Sequence, residues 1–145
     1  MTRAPARIAL AALAVVVLLF LAHGIRVDDL DAEGQAALNA APDPIPAAQA
    51  RHIRSLFRDA QWLNPDPSPL VDEAQLESFL ANDRRAVELL RRAIADSPGY
   101  VPAWALLADV ATDVDPALAA RARREARRLN PPPPQPAAPE APPAR

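Results

Sequence analysis

Three prolines that recur at one fixed interval constrain this chain more than any other feature. Pro65, Pro98 and Pro131 lie 33 residues apart, and each closes a segment with helical spacing of apolar residues. Proline has no backbone N–H and clashes with the preceding turn, so it ends a helix. The same shift aligns four columns, of which the last fails at its third member: Ala60, Ala93 and Ala126; Ile53, Ala86 and Ala119; Leu56, Leu89 and Ala122; Phe57, Leu90 and Arg123. A period of this size predicts stacked helical hairpins and therefore an all-α fold.

The junction that begins at Pro98 is the most informative of the predicted corners. Pro98 cannot continue the helix before it, and Gly99 adopts backbone angles that other residues avoid. Trp104 then opens a new apolar stripe, which Leu107 continues at helical spacing. We therefore expect two antiparallel helices joined by a tight corner.

These residues resemble the tetratricopeptide repeat family over about residues 46–131. Trp104 and Leu107 fall where that family places its first-helix Trp and Leu, and Pro98 matches its closing proline. The second-helix positions of the family are matched by Ala86, Leu90 and Ala93. The resemblance implies a short α-solenoid of antiparallel hairpins with about five helices over residues 47–130. A second helix without a first helix, over 47–63, would precede two degenerate repeats, 67–98 and 99–131.

The chain also departs from that family. Glu73 and Glu77 stand at apolar positions, Ala111 stands where the family has Tyr, and Arg123 replaces a large apolar residue. The period is 33 residues, whereas the family norm is 34. Because a single hairpin cannot bury its own face, we still expect stacking, with Ile53, Leu90 and Trp104 in one interior.

An uncharged apolar segment of 18 residues, 8–25, follows a basic N-terminus, residues 1–7. As a helix it would be about 27 Å long, which approaches the thickness of a bilayer core. Arginines before it and acidic residues after it predict a single-pass membrane protein with a cytoplasmic N-terminus and an extracytoplasmic C-terminal domain. The alternative is a cleaved signal segment ending at the small residues around Gly24, which would make the chain secreted.

Two further segments are rich in proline and alanine. Residues 26–46 are acidic and then proline-rich, so we interpret them as a linker, within which 28–38 could form a short helix. Residues 131–145 contain no large apolar side chain and are predicted to be a disordered tail.

Several classes of chemistry lack the residues that they need. The chain has no cysteine, which excludes disulfides and thiolate catalysis, and its 3 glycines cannot form a phosphate-binding loop. A net charge of −2 points neither to nucleic acid nor to a strongly acidic partner. The acidic residues Asp113 and Asp115 are better placed to cap the helix predicted near Pro116 than to hold a metal. We predict no catalytic residue, no cofactor, no metal, and a protein that is not an enzyme.

The leading functional hypothesis is a membrane-anchored extracytoplasmic scaffold that mediates protein–protein interaction. The alternative is an accessory subunit of a membrane enzyme of cell-surface polysaccharide assembly. The resemblance implies that the first helices of the repeats line the binding face, so Leu76, Glu77, Trp104 and Asp109 are candidate contacts. On the last helix, Arg123, Arg124 and Arg127 form a basic face. That face is either a solvated helix end or a site for an acidic partner, an anionic polymer or lipid headgroups.

Overall fold

Six helices account for most of the described chain. The fold is that of a computed structural model, which describes residues 3–62 and 64–131; side chains are described from Leu13 onward except at 19, 20 and 63. The helices are α1 (Arg3–Asn39), α2 (Ala47–Gln61), α3 (Ser68–Phe79), α4 (Asp83–Asp96), α5 (Val101–Val110) and α6 (Pro116–Leu129). No strand occurs in these residues, so the all-α prediction is confirmed for them. The predicted disordered tail, from residue 132 onward, lies outside the described residues.

The 33-residue period of the prolines reappears in the helix bounds. Helix α3 begins at Ser68 and α5 at Val101, while α4 begins at Asp83 and α6 at Pro116, so both pairs are offset by 33 positions. Helix α2 ends slightly earlier than predicted, at Gln61. The predicted cap is confirmed at Asp115, whose Oδ1 accepts a hydrogen bond from the backbone N–H of residue 118 at 3.0 Å.

The helices contact one another in chain order. Each helix packs against the next one in sequence, α1 also contacts α3, and α3 also contacts α5. Within residues 3–62 and 64–131, the helices therefore pair as three consecutive hairpins, α1–α2, α3–α4 and α5–α6, whose first helices contact one another in the same order.

The predicted linker differs from the structure. Helix α1 runs without a break through residues 26–39, and this part of it packs against α2. Val27, Gly34 and Leu38 are buried on its inner face. Helix α2, which the sequence left without a partner, thus has α1 as the first helix of its hairpin.

The predicted membrane span is corrected by the structure. Of the residues described here, none form a helix with both the length and the apolar character needed to cross a membrane. Residues 8–25 are not a separate element but the first part of a 37-residue helix, and the second part carries Arg26, Asp28 and Asp29. The side chains of 8–12, 19 and 20 lie outside the described set. The prediction of a single-pass location, with an extracytoplasmic C-terminal domain, is overturned by this finding.

Two hydrophobic clusters form the core among the described side chains, where we expected one. Leu90 lies in the larger cluster, between α3, α4, α5 and α6. Ile53 and Phe57 lie in the smaller cluster with Leu38 and Leu76. Trp104 is only half-buried at the edge of the larger cluster. The expectation of one interior shared by Ile53, Leu90 and Trp104 is therefore wrong, because α1 brings its own apolar face to α2.

Among the described non-glycine residues, a positive φ occurs only in the turn between α3 and α4. Ala81 adopts φ 58°, and its N–H donates to the carbonyl of Ser78 at 2.9 Å. The next N–H, of Asn82, donates to the carbonyl of Glu77 at 2.8 Å. This pair of bonds closes the helix in a left-handed cap that glycine usually fills. Gly99, by contrast, has no positive φ, so the expectation of unusual angles there is wrong.

Candidate functional site

The predicted contact residues on α3 are buried. Leu76 is fully buried in the smaller cluster, and Glu77 is 4% exposed. Neither side chain offers surface to a partner in this conformation. The predicted contacts on α5 lie differently, because Asp109 is exposed and Trp104 is half-buried.

Glu77 belongs to a pair of ion pairs between α2 and α3. Its Oε1 accepts a hydrogen bond from Nε of Arg54 at 2.7 Å, and its Oε2 accepts one from Asn82 at 2.9 Å. One turn away, Oε1 of the buried Glu73 lies 3.3 Å from Nε of Arg58. Because the two acids and the two arginines are each spaced i, i+4, they form two rungs across the interface.

The electrostatics of Glu77 follow from these contacts. Burial by itself would raise the pKa of Glu77. The hydrogen bonds from Arg54 and Asn82 and the positive charges of Arg54 and Arg85 together outweigh burial, so the pKa of Glu77 lies below its ordinary value. The carboxylate is therefore charged and fully paired, which suits a structural role in holding α2 against α3.

Two carboxyl groups, those of Asp31 on α1 and Asp72 on α3, lie next to each other between these helices. Burial, together with the charge of the adjacent Asp72, raises the pKa of Asp31 to about 6. Burial also raises the pKa of Asp72. One oxygen of Asp31, Oδ1, is buried without a hydrogen-bond partner, while Oδ2 lies 3.5 Å from the hydroxyl of Ser68. No set of three or more metal-ligating side chains comes together within residues that the structure describes.

A groove opens beside Trp104. Its floor is apolar, and two arginines on different helices flank it; the lining residues are Arg91, Ile94, Trp104, Leu107, Leu118 and Arg121. The indole is fixed in place, since Nε1 donates to the carbonyl of Pro98 at 2.9 Å. The volume of the groove is about 260 Å³.

The predicted basic face of α6 is only partly free. Arg123 donates to the hydroxyl of Thr112 at 2.8 Å and to the carbonyl of Ala108 at 3.4 Å. It therefore holds the end of α5. Arg124 and Arg127 are exposed.

Another exposed surface is the first part of α1. Its large apolar side chains from Leu13 to Leu18, and again Leu21 and Ile25, are exposed. At the end of this exposed apolar part of α1, the ring of His23 packs edge-on against the ring of Trp62, and the two ring centroids are 5.6 Å apart. Nε2 of His23 also donates to the carbonyl of Trp62 at 3.1 Å. These contacts join α1 to the end of α2.

No family model, curated protein or solved structure matches this chain. The buried acids on α3 pair with arginines of α2, while the half-buried Trp104 lines a groove with two arginines. The i, i+4 spacing of Glu73 and Glu77 was visible in the sequence, but Arg91 and Arg121 come together only through packing.

Proposed function

We propose that this chain is a non-enzymatic helical scaffold, built as a short solenoid of the tetratricopeptide type, which binds a partner protein. The observation that carries the proposal is the order of helix contacts. The first helices of the three hairpins, α1, α3 and α5, contact one another in succession, and each second helix packs behind its own first helix. Stacked hairpins of this kind present one continuous face.

Two accessible side chains support a binding role for α5, although only Trp104 also lines the groove beside α4 and α6. Asp109 is exposed, and Trp104 keeps an accessible edge while its N–H is already bonded within the chain. Tryptophan is enriched among the residues that dominate binding energy at protein interfaces. A fixed, half-buried indole loses little conformational freedom when a partner covers it.

The proposal is tested by site-specific photo-crosslinking in the cells that make the full-length chain. A photoreactive side chain is placed at Asp109, and in a matched control at Ser55, which is exposed on α2. The expected result is one adduct of fixed mass from position 109 and none from position 55. No adduct from position 109, or the same adducts from both positions, would overturn the scaffold.

A further inference from the structure

We propose that the groove beside Trp104 binds an extended acidic segment of the partner protein. An apolar side chain of that segment sits on the indole, and carboxylates on either side of it pair with Arg91 and Arg121. This inference rests on the scaffold function proposed above and names the chemistry of its partner.

The size of the groove sets what it can hold. Pockets for small molecules are typically about 300–1,000 Å³, and this groove is about 260 Å³. Its lining comes from α4, α5 and α6, and α4 and α6 do not contact each other in the described part of the chain. A site of this size and shape fits one anchoring side chain of a longer segment that runs through it.

The charge of the groove sets the sign of its ligand. Arg91 lies on α4 and Arg121 on α6, and both are exposed. Within the described residues, neither arginine takes part in an ion pair, and no carboxylate lines the groove. Guanidinium groups form paired hydrogen bonds with carboxylates. Two unpaired guanidiniums across an apolar floor are therefore complementary to acids that flank an apolar residue.

The partner is a protein segment and not a nucleic acid. A polyanion gains affinity through many phosphate contacts, whereas this chain has a sequence pI near 5.6 and a net charge of −2. Two arginines around a hydrophobic floor instead match the pattern of protein interfaces, in which Trp and Arg provide the anchors.

The test uses the full-length chain and fluorescein-labelled peptides in which two glutamates flank one leucine, with one to three prolines or serines on each side as spacers. Binding is measured by fluorescence anisotropy. The variants are Arg91→Glu and Arg121→Glu, and their matched controls are Arg92→Glu and Arg124→Glu, which reverse exposed arginines on the same two helices outside the groove.

The expected result is saturable binding of at least one peptide, which each groove variant weakens by roughly tenfold or more and each control changes by less than about twofold. Replacing the two glutamates of the peptide by glutamine should abolish binding. The variant Trp104→Phe, which keeps an aromatic ring in the core, should weaken binding more than the controls do.

Three results would overturn the proposal. Controls that weaken binding as much as the groove variants would indicate diffuse attraction. A short single-stranded DNA that binds with the same dependence on Arg91 and Arg121 would identify a general anion site. Binding that appears only in the variant Glu140→Gln would assign the groove to the acidic residue of this chain's own segment 132–145.

The photo-crosslinking experiment separates this inference from the function on which it rests. If the adduct from position 109 persists in the Arg91→Glu and Arg121→Glu variants, the scaffold stands and the groove is not its binding site. If the adduct is absent from the unmodified chain as well, both proposals fail.

Discussion

Replacing Gly34 by alanine tests whether α1 is the first helix of a hairpin. A Cβ at this position would lie 2.6 Å from Cε1 and 2.8 Å from Cδ1 of Phe57. Real Cβ atoms do not approach carbon atoms this closely. The ring cannot easily move aside, because Phe57 is fully buried and packs with Ile53 and Leu76. The methyl group must therefore push α1 away from α2.

The magnitude follows from two opposing terms. Overpacking a well-filled core costs about 1–3 kcal/mol, and an approach this close belongs in the upper part of that range. Alanine also favours a helix over glycine by about 1 kcal/mol. The net expectation is a free energy of unfolding lower by about 1–2 kcal/mol.

The same helix contains a matched control. Nothing lies within 4 Å of a Cβ placed on Gly24, which is exposed in α1. The variant Gly24→Ala should therefore gain the helix term alone and become more stable by about 0.5–1 kcal/mol. The two substitutions are chemically identical and are expected to differ in sign.

Urea unfolding of the full-length chain, followed by far-ultraviolet circular dichroism, measures both effects. Adding Phe57→Leu to Gly34→Ala should recover part of the loss, because the smaller side chain makes room for the methyl group. The reasoning is refuted if Gly34→Ala is stabilised as much as Gly24→Ala. Residues 26–39 would then be the free linker that the sequence suggested.

Two further predictions concern the turn after α3 and the carboxyl group of Asp31 on α1. Ala81→Gly should stabilise the fold by about 1 kcal/mol, because glycine accepts the positive φ without strain. Ala105→Gly, in the exposed middle of α5, should destabilise the fold by a similar amount. Thermal unfolding of the two variants measures both changes. Because the pKa of Asp31 is raised to about 6 in the folded chain, the contribution of this carboxyl to the stability of the fold should decrease as the pH rises from about 4 to about 6. Asp31→Asn should therefore raise the free energy of unfolding at pH 7 and have little effect near pH 4, as measured by urea unfolding at each pH. Asp29→Asn is the exposed control on the same helix. A stabilisation by Asp31→Asn that does not change with pH would contradict the prediction.

The helix bounds from Ser68 onward could be predicted because their signals are local. A proline ends a helix through its own missing N–H, whatever packs around it. The caps and corners near Pro98 and Asp115 act within a few residues in the same way, so the 33-residue period survives in the structure.

The partnership of α1 with α2 could not be predicted in this way. The inner face of α1 reads Val27, Asp31, Gly34 and Leu38, and only two of these four residues are apolar. Asp31 faces another carboxyl, and Gly34 is small because a ring of α2 lies against it. Both residues are explained by tertiary contacts, so the segment looked like an acidic linker.

The candidate site was equally dependent on tertiary structure. The sequence identified Trp104 as a candidate contact residue, but its partial exposure depends on the gap between α4 and α6. Leu76 and Glu77 were assigned to a binding face from their place in a resembled repeat. The structure buries both, because α2 packs over this side of α3.

The same 33-residue shift relates one acid of α3, Glu77, and its partner Arg54 to apolar residues of the next hairpins. Shifting Arg54 and Glu77 by 33 positions leads to Val87 on α4 and Val110 on α5, which are both buried in the larger cluster. The α2–α3 junction thus uses an ion pair where the next junction uses two valines. The ion pair is not needed for burial as such, since the apolar version exists in the same chain.

Copying the second junction onto the first gives a sharp prediction. Glu77→Val alone should lower the free energy of unfolding by about 2–3 kcal/mol, less than the 3–5 kcal/mol of a fully buried pair, because Arg54 is 22% exposed and water can reach it. Arg54→Val together with Glu77→Val should restore stability to within about 1 kcal/mol of the unmodified chain, since an apolar pair of similar volume replaces a buried ion pair at little cost. The exposed pair Arg85–Glu88 is the control, for which the same double-mutant cycle should give less than about 0.5 kcal/mol of coupling. A double variant at the α2–α3 junction that is no more stable than Glu77→Val would show that the charges do more than fill the interface. The two junctions would then not be equivalent members of one repeat.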